Sequence, residues 1–145
     1  GPANVKVEYN TVVMPEDGRW AVLVRNPGGQ VIIMNNVLVN RRKGRGALSI
    51  GERSSVPGWM EKTGMIGANR ELMALYSDHN VFAGEPGVAT LNDGESRLSL
   101  KMWQKKQDQH SVFMTEQEIF VDPANNDYRL IPGKDLGAGA DVHAQ

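Results

Sequence analysis

The fold is decided by two similar stretches, Val5-Lys6-Val7-Glu8-Tyr9-Asn10-Thr11-Val12-Val13 and Val31-Ile32-Ile33-Met34-Asn35-Asn36-Val37-Leu38-Val39. The second stretch follows the first by 26 residues and places Asn36 on Asn10. The same shift carries Ala21-Val22-Leu23-Val24 onto Ala47-Leu48-Ser49-Ile50. Two separate apolar segments therefore repeat with one offset, which indicates a repeat architecture.

A third copy of the pattern occurs at Leu75-Tyr76-Ser77-Asp78-His79-Asn80-Val81-Phe82, where Asn80 follows Asn36 by 44 residues. The longer spacing is explained by an insertion over residues 51–70, which has no apolar periodicity. Short runs rich in Val and Ile are typical of β-strands, and a period in the twenties with several strands per repeat favours a parallel β-solenoid. Stacked repeats cover each other's apolar residues, which no single repeat can bury alone.

The asparagines Asn10, Asn36 and Asn80 take the same place in each copy. Asn tolerates left-handed φ and forms local hydrogen bonds at bends. We therefore predict that these three residues sit at a bend between strands, and that their amides form a structural ladder rather than a ligand site.

The second half of the chain has a different character. Residues 96–106 indicate a short helix with Ser99 as its N-cap and with Leu100 and Trp103 on its apolar side. Short strands separated by Asn, Asp and Pro turns are predicted after it. They lie in the stretches His110-Ser111-Val112-Phe113, Glu118-Ile119-Phe120-Val121-Asp122-Pro123 and Asp127-Tyr128-Arg129-Leu130-Ile131-Pro132-Gly133.

The closing motifs resemble those of right-handed parallel β-helix repeat proteins, the pectin-lyase-like superfamily. The resemblance rests on Ser99-Leu100-Lys101-Met102-Trp103, Asp108-Gln109-His110-Ser111, Phe120-Val121-Asp122-Pro123 and Asp127-Tyr128-Arg129-Leu130 with Pro132-Gly133. It implies an all-β fold, a right-handed parallel β-helix of about three to four coils with a short helix and an irregular C-terminal cap. The coils are expected over residues 3–98, and the helix, closing strands and tail over residues 99–145.

The resemblance also implies more coils than this chain shows, and an N-terminal cap. We therefore expect the N-terminal open end to be covered by another chain, by a second copy or by upstream coils, since an open solenoid end exposes apolar side chains and unpaired backbone groups. Members of the superfamily include polysaccharide lyases, glycoside hydrolases, phage tailspikes and adhesins, and fold alone does not choose among them. A secreted or cell-surface location is implied by the resemblance alone.

Composition excludes several classes of function. The net charge of −1 disfavours a strongly basic nucleic-acid binder, and no apolar run approaches the roughly 18 residues that a membrane-spanning helix requires. Because the chain has 0 cysteines, disulfides, thiolate catalysis and cysteine-based zinc sites are excluded. We predict no nucleic-acid partner, no membrane span, no metal site and no cofactor, with Ca²⁺ as an alternative left open.

The basic loop Arg41-Arg42-Lys43-Gly44-Arg45 is the clearest candidate for binding. Guanidinium groups match the carboxylates of uronates, so the loop predicts a surface for an acidic polysaccharide. Lys43 and Arg45 are the candidates for catalysis, since a lyase needs one group to neutralise the uronate carboxylate and another to remove a proton. A solvated loop that protects a sheet edge is the alternative.

The insertion over residues 51–70 supplies Arg53 and Trp59 as further candidates for substrate binding. An exposed Trp suits stacking on a sugar ring, whereas a buried Trp would pin the loop to the body. The histidines His79, His110 and His143 form no metal-binding motif in sequence. His79, next to the Asn80 bend, is therefore predicted to be structural or solvated, and His110, within the closing motifs, is predicted to be structural.

Two functions follow from the sequence. The first is a carbohydrate-active β-helix fragment that binds an acidic polysaccharide and, in a longer form, cleaves it as a lyase or glycosidase. The second is a non-catalytic solenoid scaffold or a surface, adhesion or tailspike-like module. Whether the chain is an enzyme stays open at this point.

Overall fold

The structure is a computed structural model that describes residues 4–24, 30–50, 75–91, 96–106 and 108–140. The strands of the repeating part are β1 (Asn4–Glu8), β2 (Thr11–Met14), β3 (Val22–Val24), β4 (Gln30–Met34), β5 (Val37–Asn40), β6 (Leu48–Ile50), β7 (Leu75–Asp78), β8 (Val81–Gly84), β9 (Gly87–Leu91) and β10 (Ser96–Ser99). The remaining elements are helix α1 (Leu100–Lys106), β11 (Val112–Phe113), helix α2 (Glu116–Ile119), β12 (Phe120–Asp122), a 3-10 turn (Pro123–Asn125) and β13 (Asp127–Leu130).

From β1 to β9, consecutive strands belong in turn to three different sheets. The first sheet has the order β1-β4-β7, the second β2-β5-β8-β11, and the third β3-β6-β9-β10. All pairings within the first two sheets are parallel, as are those of β3, β6 and β9 in the third. The registers match the sequence repeats, because Val5 pairs with Val31 and Val31 with Leu75. The prediction of a mainly β protein with parallel pairing is confirmed.

The asparagines of the repeat lie one above another between the first and second sheets. The backbone N–H and the Nδ2 of Asn10 both donate to Oδ1 of Asn36, at 2.9 and 3.1 Å. Asn36 donates in the same way to Oδ1 of Asn80, at 3.0 and 3.1 Å. The backbone N–H of Asn80 donates to Oγ of Ser111 at 2.9 Å. The ladder therefore has a fourth rung, at which Ser replaces Asn.

At this bend, the residue before each ladder asparagine has the left-handed conformation, whereas the sequence suggests the asparagine itself. Tyr9, Asn35 and His79, each just before a ladder asparagine, have φ of 57°, 59° and 55°. The ladder asparagines themselves are not among the residues with positive φ. The preceding residue makes the turn, and the asparagine side chain is thereby directed to the ladder.

The three sheets enclose a common apolar core. Residues from all three sheets form its buried cluster, among them Ile33, Leu38, Leu48, Phe82 and Ala89. Burial of these side chains is the main favourable term in folding, because each buried methylene contributes about 0.8 kcal/mol. Apolar packing in this core therefore stabilises the repeats against each other.

The chain reverses direction at one end of the third sheet, where β10 pairs antiparallel with β9. Helix α1 begins after Ser99, whose Oγ accepts a hydrogen bond from the N–H of Met102 at 3.3 Å. Trp103 is fully buried against the core, as the sequence predicts for the apolar side of this helix. Among the described residues, no helix has the length and apolar character that crossing a membrane requires.

The C-terminal segment, residues 115–140, covers the outer face of the second sheet. Val37, Val39, Val81 and Ala83 point away from the common core and form a second buried cluster with residues of this segment, listed here as Ile119, Phe120, Leu130 and Ala138. The backbone N–H of Gly139 donates to the carbonyl of Asn35, and that of Ala140 donates to the side-chain Oγ1 of Thr11. The central strands β5 and β8 of the second sheet are therefore buried on both faces.

Candidate functional site

A polar cleft lies at the ends of the strands of the second sheet. Its two adjoining hollows measure about 400 and 560 Å³ and share Glu16, Arg41 and Glu85. These residues follow β2, β5 and β8, and Glu116 adds a lining residue from the start of helix α2. Parallel pairing brings equivalent strand ends together, so residues far apart in sequence line one cleft.

A glycine allows the chain to turn at the wall of the cleft. Gly84 ends β8 with φ of 93°, and a Cβ at this position would collide with the carbonyl oxygen of Asn40. The next residue, Glu85, donates its backbone N–H to the same carbonyl at 2.7 Å. Any larger residue at position 84 would push the turn away from the carbonyl of Asn40. Gly84 is therefore required for the observed position of Glu85.

Arg41 is held by contacts within the protein. Its Nη2 lies 2.6 Å from Oε1 of Glu116, and its Nε lies 3.2 Å from each oxygen of that carboxylate. Nη2 also donates to the hydroxyl of Tyr128 at 3.2 Å. The hydrogen bond to Glu116 is the main cause that raises the pKa of Arg41 above its ordinary value, against an opposing effect of burial. The guanidinium is thus already paired with a carboxylate.

Two further cations of the basic loop also make internal contacts. Nη1 of Arg42 donates to the carbonyl of Gly18 at 2.9 Å and to that of Asp17 at 3.3 Å. The guanidinium of Arg45 lies 5.1 Å from the centroid of the Trp20 ring, where a cation–π contact forms. Both contacts tie the loop to the previous repeat.

Lys43 is the cation of the basic loop that is exposed to solvent. It lines the cleft beside Glu16 and Glu85. The other predicted binding residues, Arg53 and Trp59, lie with the whole insertion outside the residues that the structure describes. The structure therefore brings Arg41, Arg42 and Lys43 to one cleft, with Arg41 and Arg42 engaged by the protein itself.

The cleft carries both signs of charge. Glu16, Asp17, Glu85 and Glu116 line it together with the three cations. Carboxylates accept hydrogen bonds from hydroxyl groups, and an ammonium group donates to a carboxylate. The cleft can thus bind hydroxyl-rich molecules with an occasional negative charge, whereas a densely anionic polymer would meet repulsion from the acidic side chains.

A second polar cluster lies at the ladder bend. This bend precedes the strands of the second sheet, whereas the cleft follows them. Asp78 is 3% exposed, and its Oδ1 accepts backbone N–H bonds from His79, Gln109 and His110, at 2.9, 3.1 and 2.6 Å. Its Oδ2 lies 2.8 Å from Nδ1 of His110. Burial raises the pKa of Asp78, but the bonds from His110 and from the backbone outweigh it, so the pKa is well below its usual range.

The rings of His79 and His110 stack on each other. Their centroids are 4.5 Å apart and their planes differ by 3°. Nε2 of His79 lies 3.7 Å from Oδ2 of Asp78. Asp78, His79 and His110 form a group whose ligand atoms all lie within 4.8 Å of one another, so these three side chains could hold a metal ion.

Asp108 holds the residue that follows His110 in place. It is buried, and its carboxylate accepts bonds from the N–H and the Oγ of Ser111, at 3.0 and 2.5 Å. Burial raises the pKa of Asp108, and the nearby Asp78 charge acts in the same direction. Asp108 thus fixes Ser111, which forms the fourth rung of the ladder.

The proximity of His79 and His110 was not predicted from the sequence. The signal was present, because His79-Asn80-Val81-Phe82 and His110-Ser111-Val112-Phe113 match at three of four positions. The structure pairs Val112 with Val81 and Phe113 with Phe82. Extension of the repeat to this fourth copy, with Ser in place of Asn, would have predicted that the two histidines are neighbours.

Comparison with known proteins finds no match for this chain. No family model matches it, and neither do the curated proteins or the solved structures. The function has to be inferred from the described residues.

Proposed function

We propose that the chain is part of a right-handed parallel β-helix of the pectin-lyase-like kind. Support comes from the three sheets, which receive one strand each from every repeat, and from the side-chain ladder that runs through the repeats. Right-handed connections between parallel strands are the strong rule in proteins. In such a β-helix the repeats share one axis, and the cleft, which is lined by one residue after the second strand of each repeat, would run along it.

We infer that this module binds a polysaccharide in the cleft. The observation that carries the proposal is the mixed lining of the cleft, with the exposed Lys43 beside Glu16 and Glu85. Lys43 would bind a uronate carboxylate, while the two acidic side chains accept hydroxyl hydrogen bonds. Because Arg41 is paired with Glu116, the cleft favours a glycan in which acidic sugars are separated by neutral ones over a fully acidic polymer.

Affinity electrophoresis with three glycans tests this function: a fully uronate polymer, a neutral polymer and one with alternating acidic and neutral sugars. We expect the strongest retardation in the alternating polymer. Lys43→Ala should weaken this binding and lower its dependence on salt, since a charge contact is screened by ions. The control is Lys101→Ala, an exposed lysine of helix α1 outside the residues that line the cleft. Equal migration of the unmodified protein in all three gels would contradict the proposal.

A second candidate function is a non-catalytic scaffold or a surface, adhesion or tailspike-like module. It is favoured by the engagement of Arg41, Arg42 and Arg45 in contacts within the protein, which gives most of the basic loop a structural role. In this role the edges formed by β1, β2 and β3 would pair with further coils or with a second copy. Folded protein that binds none of the three glycans would favour this candidate.

A further inference from the structure

We propose that Asp78, His79 and His110 form a binding site for a divalent transition-metal ion of the Zn²⁺ class. Two imidazoles and one carboxylate are a donor set that Zn²⁺ and related ions prefer, and three protein ligands leave a position for water. The site lies at the bend between the first and second sheets and uses no residue of the cleft. It is therefore independent of the proposed glycan binding.

The carboxylate oxygen that faces the two rings lies near the spacing that a metal ion needs from one nitrogen of each histidine. Ligands of Zn²⁺ lie at about 2.0–2.2 Å, so two donors on one tetrahedral ion are about 3.3 Å apart. Oδ2 of Asp78 lies 2.8 Å from Nδ1 of His110 and 3.7 Å from Nε2 of His79. Each of these separations is within about half an ångström of the tetrahedral value.

The carboxylate is held in place before any ion binds. Three backbone N–H groups fix Oδ1 of Asp78, so Oδ2 remains the oxygen that faces the two rings. One of those N–H groups belongs to His110, and another to His79. The same hydrogen bonds thus position the carboxylate and the two backbones that carry the imidazoles, which is the preorganisation that a tight site requires.

One adjustment is needed for binding. The rings stack nearly parallel, and a metal ion has to lie near the plane of each ring that coordinates it, so the rings must tilt toward each other. The side chains of His79 and His110 are 45% and 57% exposed, and such side chains can change their ring orientation without disturbing the core. A tilt that replaces the Nδ1 contact of His110 with a metal bond leaves the Oδ1 contacts of Asp78 in place.

Isothermal titration calorimetry with ZnCl₂ tests the site. We expect one ion per chain for the unmodified protein and no binding of Mg²⁺ or Ca²⁺, which prefer sites built only from oxygen ligands. His79→Ala and His110→Ala should each weaken Zn²⁺ binding by more than about tenfold, because even the loss of an outer partner of a ligand costs that much. The matched control is His143→Ala, which removes the third histidine of the chain and should leave binding unchanged.

Folding is checked separately by circular dichroism of each variant in the absence of metal. His79 is the decisive position, since its ring is exposed and the variant keeps the backbone N–H that bonds to Asp78. Visible absorption of Co²⁺ added in place of Zn²⁺ provides a second measurement, in which the unmodified protein should give a ligand-field band that both variants lose. Three results would overturn the proposal: no Zn²⁺ binding by the folded protein, binding that survives both substitutions, or binding lost with His143→Ala.

Discussion

Asn36 shows how a single buried residue fixes the register of the repeats. Its amide is fully buried, where an unpaired polar group is costly. Oδ1 accepts two bonds from Asn10, and Nδ2 donates to the carbonyl of Val7 and to Oδ1 of Asn80. A slip of one residue in any of the adjoining strands would remove these partners together. The ladder therefore selects the observed register as well as stabilising it.

Asn36→Ala should lower the free energy of unfolding by about 2–3 kcal/mol, because it leaves several buried partners without a hydrogen bond. Asn10→Ala is the matched control, since Asn10 occupies the same place in the repeat but is exposed. We expect the control to cost about 1 kcal/mol or less. Urea denaturation followed by circular dichroism measures both, and equal losses for the two variants would show that the ladder does not act through burial.

The strands of the repeat could be predicted from the sequence, but the residue that makes the bend could not. Tyr9, Asn35 and His79 share a left-handed φ and no common side-chain chemistry. This φ directs the side chain of the next residue into the ladder. The hydrogen bonds of the ladder therefore override the ordinary preference of Tyr and His for negative φ. Local preference thus indicates the repeated asparagine of each copy rather than the residue before it.

The residues of the candidate site were predicted from the sequence in part, and the contacts between them were not. The basic loop was found from its composition, and the structure places Arg41, Arg42 and Lys43 at one cleft. The pairing of Arg41 with Glu116 was not predicted, because 75 residues separate the two and no local pattern connects them. Asp78 and His110 are a different case, because extension of the repeat to the fourth strand of the second sheet would have placed them close together.

Helix α2 begins with a capping box formed by Thr115 and Glu118. Oε1 of Glu118 accepts bonds from the N–H and the Oγ1 of Thr115, at 3.0 and 2.9 Å, and the N–H of Glu118 donates to Oγ1 of Thr115. The backbone bond from Thr115 and then its side-chain bond lower the pKa of Glu118. A depressed pKa means that the carboxylate stabilises the fold above its unfolded pKa, and that this contribution is lost as the pH falls through the folded pKa.

Thr115→Ala should therefore raise the pKa of Glu118 toward its ordinary value, because the variant lacks the Oγ1 donor. Thr115→Ser keeps a hydroxyl group and should leave the titration close to that of the unmodified protein. Carbon-detected NMR of the glutamate carboxyl groups over an acid titration measures the midpoint directly. If the alanine and serine variants titrate alike, the hydroxyl group does not contribute to the shift.

The C-terminal segment covers the outer face of the second sheet. Val37-Leu38-Val39 and Val81-Phe82-Ala83 are apolar at every position, and all six residues are buried. An uninterrupted apolar run is typical of a strand that is covered on both faces. No cover was predicted from the sequence, although these apolar runs carried the signal for one. The runs do not identify the covering segment, since Ala140 and Thr11 are 129 residues apart.

Phe120 is the largest buried side chain that the C-terminal segment contributes to this second cluster, and it is 1% exposed. Its ring also packs edge-on against Tyr128, with centroids 5.3 Å apart. Phe120→Ala should lower the free energy of unfolding by about 3–5 kcal/mol, because it opens a cavity between the segment and the second sheet. Urea denaturation measures the loss.

The adjacent residue in the same strand provides the control. Val121 is 43% exposed, so Val121→Ala changes the same β12 without opening the buried cluster and should cost about 0.5 kcal/mol or less. If the segment covers the sheet, amide hydrogen exchange in β5 and β8 should accelerate in Phe120→Ala and stay unchanged in Val121→Ala. Acceleration confined to β12 and β13 would mean instead that the segment folds separately, and that the outer face of the second sheet does not depend on it.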